Sequence, residues 1–183
     1  SLCGGILTVA MEVIEPMPHI LLAGGGHCAQ AIADASAPLG WSVSVLDARP
    51  EYASEELWPD AEECIASEPG EFLARETTES LARFSHILLL GHDWAIDEAL
   101  LIGLLERAEG RPQIGCIGSK AKWSAFEKSA IQAGISQEIL DAVICPIGIT
   151  IGAESPQEIA IAVLAQIIAE IKGVTPTSSS WRK

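Results

Sequence analysis

Short apolar runs punctuated by glycine, proline or charge divide the chain into alternating strand and helix signals. His19-Ile20-Leu21-Leu22-Ala23 is apolar almost throughout and predicts a strand covered on both faces. Ala31, Ile32, Ala35 and Leu39 then recur at helical spacing, with Pro38 ending that helix early. A second strand is predicted over residues 42–46 and ends at Asp47, and a short third one over 62–65. Residues 69–83 are polar and hold a short helix. A fourth strand covers 86–90, a helix 95–108 closed by Gly110, a fifth strand 113–117, and a helix 119–133 closed by Gly134. A further short helix is expected near 136–143.

The last helix carries the clearest punctuation. Ser155-Pro156-Gln157-Glu158 is a capping box with proline in the first turn, and Gly173 follows its end. Between 159 and 165 it is apolar nearly all round, which predicts burial on more than one face and a domain or subunit contact. Leu7, Val9, Met11 and Val13 alternate with less apolar neighbours, so residues 6–14 are expected to add an N-terminal strand. Pro16 and Pro18 separate it from the rest. The Thr/Ser-rich segment from Thr175 onward is expected to be disordered, and no internal repeat is visible.

Strands alternating with helices predict an α/β fold: a Rossmann-like three-layer sandwich with a mostly parallel, doubly wound sheet plus the N-terminal extra strand. The expected organisation is an N-terminal strand and linker over 1–18, a Rossmann-like domain over 19–173 and a tail over 174–183. At 183 residues the chain suffices for one such domain. It starts without methionine, and 1–18 reads as a remnant of a missing N-terminal domain, so a fragment of a longer protein is expected.

Net charge changes the list of partners. At −14 the field repels polyanions, which excludes a broad nucleic-acid or anionic-membrane surface but leaves room for a small anion in a local basic pocket. No run reaches the ~18–20 apolar residues needed to span a bilayer. The N-terminal apolar stretch lacks a basic lead-in and is interrupted by Glu12, unlike a signal peptide. Five widely spaced cysteines, at 3, 28, 64, 116 and 145, form no Cys-x-x-Cys pair and suit reduced thiols in a cytoplasmic protein.

Candidate chemistry gathers at the predicted strand ends, where open α/β sheets bind ligands. Gly24-Gly25-Gly26-His27-Cys28-Ala29 lies between the first strand and first helix, where a phosphate would meet free N–H groups and the positive end of the helix dipole. Asp47 stands where a carboxylate accepts ribose hydroxyls, with Arg49 close by. Gly91-His92-Asp93 follows the fourth strand; His92 is a ligand contact or a locally bonded strand cap. Gly118-Ser119-Lys120-Ala121-Lys122 offers a second set of amides, a hydroxyl and two cations, or else a plain helix cap with solvated lysines. Glu154 stands at the edge of a glycine-punctuated loop, 146–154, that would fold over the crevice or only approach the sheet closely. Cys28 near a helix N-terminus would have a depressed thiol pKa, while Cys28 and Cys116 also suit small core residues.

In combination these segments resemble the C-terminal Rossmann domain of the xanthine dehydrogenase accessory factors (the XdhC/CoxI family). The matching runs are Cys3-Gly4-Gly5, Gly24-x-Gly26-His27, Asp47-x-Arg49-Pro50-Glu51, Gly91-His92-Asp93 with Asp97 and Leu100, Ile117-Gly118-Ser119-x-x-Lys122, and the stretch from Pro146 to Ala160. They cover about residues 3–172. Trp94 stands where many relatives have a second histidine, and Ala29 replaces the third glycine.

The resemblance implies a protein that binds molybdenum cofactor (molybdopterin), assists its sulfuration by a sulfur donor and delivers it to a xanthine-dehydrogenase-like molybdenum hydroxylase apo-enzyme. It implies a cofactor-binding chaperone rather than a stand-alone catalyst, with Cys3 a possible cofactor contact. Gly24, Gly25, Gly26, His27, Asp47, Arg49, Gly91, His92, Asp93, Gly118, Ser119, Lys120, Lys122 and Glu154 are the expected cofactor-binding residues, with no protein-borne metal site. Two rivals stand beside it: an NAD(P)-dependent oxidoreductase, for which no acid/base pair is evident, and a nucleotide-sensing homodimer built on the last helix.

Overall fold

The computed structural model describes residues 8–12, 16–107 and 111–176. Its elements are β1 (His19–Ala23), α1 (His27–Ser36), β2 (Ser42–Asp47), β3 (Cys64–Ala66), α2 (Pro69–Arg75), α3 (Thr78–Leu81), β4 (His86–Leu89), α4 (Trp94–Leu105), β5 (Gln113–Cys116), α5 (Lys120–Gln132), α6 (Gln137–Leu140) and α7 (Pro156–Ile171). The sheet order is β3-β2-β1-β4-β5 and each pairing is parallel. Since β1 leads to β2 on one side and has β4 on the other, the order reverses beside β1. That is the place where such sheets open a crevice.

Side-chain alternation along the strands builds two cores. Ile20, Leu22, Val43, Val45 and Leu88 join Ala29 and Ile32 of α1 and Val163 and Ile167 of α7. Leu21, Ala23, Leu46, Ile87 and Leu89 face the other way, toward Phe72, Leu101, Leu104 and Phe126 of α2, α4 and α5. This is the predicted three-layer α/β sandwich. Glu170 in the last turn of α7 lies 3.4 Å from His86 at the start of β4, so α7 runs antiparallel to the strands. Its N-terminus therefore lies toward the strands' carboxyl ends.

Local chemistry sets the boundaries. α1 stops at Ser36, the 3-10 turn Ala37–Leu39 carries Pro38, and Gly40 takes φ 70°. α7 has the predicted reciprocal cap, Ser155 accepting from the Glu158 N–H and the Glu158 side chain accepting from the Ser155 N–H. The polar stretch 69–83 folds as two helices, the second held by a cap at Thr77.

One expectation is corrected: residues 8–12 form no strand, and Val9 and Met11 are 68% and 90% exposed. Alternation alone stabilises no strand where no neighbouring edge receives its N–H and C=O groups. The last helix also departs from all-round burial, since Ile161 is exposed while Val163, Leu164 and Ile167 are covered. Cys3, Gly110 and residues 177–183 of the expected tail lie outside the described residues. No helix among the described residues is long and apolar enough to cross a membrane.

Candidate functional site

Three loops leave the carboxyl ends of β1, β4 and β5, and the glycines in them let the loops touch. Gly24 takes φ 108°, and a Cβ there would stand 2.8 Å from the Gly91 nitrogen. Gly25 donates its N–H to Asp47 Oδ2 at 2.9 Å, and a Cβ at 25 would overlap the Tyr52 carbonyl oxygen. Gly26 differs: it is the N-cap residue of α1, has no side-chain cap, and nothing lies within 4 Å of where its Cβ would be. The first-turn amides of α1 therefore have no side-chain cap from Gly26, the condition under which a helix N-terminus takes an anion.

Asp47 ends β2 as expected and is buried. Its Oδ1 accepts from the Arg49 backbone N–H (3.0 Å) and Nε (2.9 Å), and its Oδ2 from Gly25 N–H and Arg49 Nη2, both at 2.9 Å. An ionised carboxylate has about four acceptor directions, so this one is saturated from within the chain. Burial acts to raise its pKa, but the Arg49 and Gly25 hydrogen bonds outweigh it and hold the carboxyl below the usual range. Arg49, 37% exposed, stacks 3.7 Å over the Tyr52 ring. A ribose hydroxyl reaches Asp47 only by displacing that guanidinium.

Behind the β4 loop lies an ion pair that local sequence reading missed. Lys122 Nζ donates to Asp97 Oδ2 at 2.6 Å, to the Gly91 carbonyl at 3.3 Å and to the Ile117 carbonyl at 3.2 Å. Asp97 Oδ1 accepts from the Gly91 N–H at 3.2 Å. Both side chains are buried, 6% and 2% exposed. Burial pushes the Asp97 carboxyl up, opposed by the ammonium and the Gly91 N–H. Lys122, expected to meet an anion directly, instead ties the β4 loop to the end of β5. In that loop Ser119 caps α5 by accepting from the Lys122 N–H, with Lys120 exposed at the first position of the helix.

A crevice of about 410 Å³, counting its open mouth, lies over the ends of β1, β2 and β4. Gly24, Asp47 and Arg49 form one wall, Gly91, His92 and Asp93 another, and Pro69, Ile96 and Leu100 an apolar floor. The apolar lining with few polar groups is the kind that takes a small organic ligand. Of the expected residues, Gly25, Gly26, His27, Gly118, Ser119, Lys120, Lys122 and Glu154 do not line this crevice. Gly25 and Gly26 continue the loop at its rim, and Lys122 acts through Gly91. Exposed Glu154 donates its backbone N–H to Glu158 in the cap of α7. His27 and His92 are exposed, and Asp93 caps α4 through the Ala95 N–H. Cys28 is corrected: burial raises its thiol pKa. Among the described residues no group of three or more His, Cys, Asp and Glu could hold a metal.

Pro69, Ile96 and Asp97 were not among the expected site residues, although Asp97 stood in the family resemblance. A floor residue on a helix has no local signal that separates it from core.

Comparison with known proteins agrees with this architecture. Uncharacterized protein YqeB of Escherichia coli K12 is 31% identical over 174 residues, 95% of this chain and 31% of that protein. A Bacillus subtilis 168 protein, named as a probable subunit of xanthine dehydrogenase, is 31% identical over 166 residues, 90% of this chain and 46% of its own length. The chain thus spans less than half of either relative. A crystal structure titled as a xanthine dehydrogenase from Bacillus halodurans superposes with a TM-score of 0.71 at 27% identity, covering 91% of this chain and 46% of that one. The NAD(P)-binding domain of an exopolyphosphatase-related protein from Archaeoglobus fulgidus, at 16% identity and TM-score 0.50, shares the fold alone. Residues 20–167 match the XdhC Rossmann domain, and the chain belongs to that family.

Proposed function

We propose that this domain holds a phosphorylated small molecule across the β1–β4 crevice, and that the guest is molybdenum cofactor on its way to a xanthine-dehydrogenase-type molybdenum hydroxylase. The protein acts as an accessory factor: it binds, shields and hands over, without turning its guest into a product. One observation carries the reading. An uncapped helix N-terminus, open at Gly26, borders an apolar-floored crevice at the switch point of the sheet. Relatives named for xanthine dehydrogenase supply the partner class.

The residues suit such a guest. The terminal phosphate sits at the first turn of α1 with His27 beside it, and the ring system lies against Pro69, Ile96 and Leu100 between the loops at 47–49 and 91–93. Molybdenum cofactor brings its metal on its own dithiolene sulfurs, so the chain need supply only phosphate and ring contacts. Gly118, Ser119 and Lys120 border the next strand end and add positive charge to the rim. Glu154 enters as an edge residue at the N-terminus of α7.

A nicotinamide nucleotide is the second reading, favoured by the placement of Asp47 at the end of β2 in the crevice wall. It requires Arg49 to swing away, which its partial exposure permits. The two guests are separated by titrating the protein with molybdenum cofactor, followed by pterin fluorescence, and with NADH, followed by nicotinamide fluorescence. Saturable pterin binding that weakens in Lys120→Ala supports the proposal. Saturation by NADH alone overturns it in favour of the second reading, and no binding of either overturns both.

A further inference from the structure

The end of β5 brings two cysteines together from segments 29 positions apart, a pairing that neither the crevice nor the proposed guest uses. The Ile144 N–H donates to the Ile114 carbonyl at 3.0 Å and the Cys116 N–H to the Ile144 carbonyl at 2.9 Å, so Gly115 and Ile144 form a parallel bridge. One residue further on, Cys116 and Cys145 stand side by side and both pack into the core on the α5 side of the sheet. Paired strands lie ~4.8 Å apart, within the Cα separation a disulfide spans. Pro146 then breaks the ladder, with the Ile147 N–H taking the Cys116 carbonyl at 2.9 Å, so the Cys145 side is not locked in a regular strand.

The two thiols are unlike. Cys116 is fully buried, and Cys145 is half-buried. The Cys116 S–H donates to the Ile117 carbonyl at 3.5 Å. The neighbouring Cys145 and burial raise the Cys116 thiol, while Cys116 and the Lys122 ammonium draw Cys145 toward thiolate, against burial and Glu127. Cys28 and Cys64 have their thiols raised by burial. Thiolate character and access decide which cysteine attacks.

We propose that Cys145 and Cys116 form a redox-active dithiol site whose co-substrate is a low-molecular-weight disulfide of the glutathione class. The Cys145 thiolate attacks one sulfur of the disulfide, forming a protein mixed disulfide and releasing one small thiolate, which takes up a proton. Cys116 then loses its proton and attacks the Cys145 sulfur, expelling the second small thiol. Two protein thiols are oxidised and one small disulfide is reduced to two thiols. The bond pins the segment at 144–147 to β5, immediately before the Gly118 loop.

The test exposes the native full chain to glutathione disulfide, alkylates the remaining thiols after denaturation and maps the products by peptide mass spectrometry. The proposal expects a 116–145 crosslinked peptide in the wild type, and loss of alkylation at those two positions ahead of Cys28 and Cys64. It expects Cys116→Ala to stop at a lasting glutathione adduct on Cys145, and Cys145→Ser to leave Cys116 unmodified. Wild-type protein that carries glutathione on Cys145 without closing onto Cys116, or that leaves Cys145 free while other cysteines react, overturns it. A trivalent arsenical added to the native wild type, which needs two adjacent thiols, gives a check free of any variant: one equivalent retained at 116 and 145 supports the pair, and none retained contradicts it.

Discussion

Asp97 and Lys122 show how much of this site rests on a buried pair that positions a loop. The pair holds both the N–H and the C=O of Gly91, so it sets where the β4 loop stands in the crevice wall. Removing one member strands the other charge in the interior, at a cost of about 3–5 kcal/mol, whereas an apolar pair of similar volume avoids that cost. Lys122→Met is therefore expected to unfold at clearly lower urea than the wild type, with much of the loss recovered in Asp97→Leu/Lys122→Met. Equal stability in wild type and Lys122→Met would show that the pair is not the fastening described. The pair is 25 positions apart, and a lysine on a helix shows no sign in sequence of whether it faces solvent or a buried carboxylate. That is why the same residue was expected to contact an anion directly.

At the scale of elements, the predictable parts were those set by local chemistry. Pro38 stops α1, the Ser155–Glu158 box starts α7, and continuous apolar runs became the strands buried on both faces. Glycine between strand and helix told where the backbone turns, but not which glycine meets protein and which meets open space. That depends on Tyr52 and Gly91, which arrive from other elements. The N-terminal alternation failed for a related reason: a strand is a property of a pair, and sequence shows one partner.

The opposite end of the sheet carries a pH dependence of its own. His19, at the start of β1, bonds Ser44 Oγ at 2.8 Å, and His86, at the start of β4, lies by Ser85 Oγ and Glu170. Burial is the main cause that lowers both imidazoles; Glu63 and Glu62 oppose it at His19, and Glu170 at His86. The unfolded chain binds protons at these positions near pH ~6.5, while the folded chain resists. Stability is thus fully present above that value and falls as pH drops toward the lowered folded values. His86→Gln is expected to flatten the fall in unfolding midpoint between about pH 7 and pH 5. A wild-type slope unchanged by the substitution would assign the dependence elsewhere.

For the whole molecule, a charge of −14 and a proposed anionic guest pull in opposite directions. Long-range attraction cannot bring such a ligand in, so affinity must come from contacts within a few ångströms, where backbone amides outweigh the net field. The open N-terminus of α1 is the part of the crevice rim suited to that task. Substituting Gly26→Asp separates binding from folding, because the new side chain meets free space and aspartate is a favourable N-cap. Its carboxylate then occupies the amides that a phosphate would use.

The most direct measurement is calorimetric titration of wild-type and Gly26→Asp protein with molybdenum cofactor, alongside their unfolding midpoints. The account predicts saturable binding by the wild type, at least about tenfold weaker binding by the variant, equivalent to ~1.4 kcal/mol, and a midpoint equal or higher. Equal affinity in both proteins, with both folded, would contradict it.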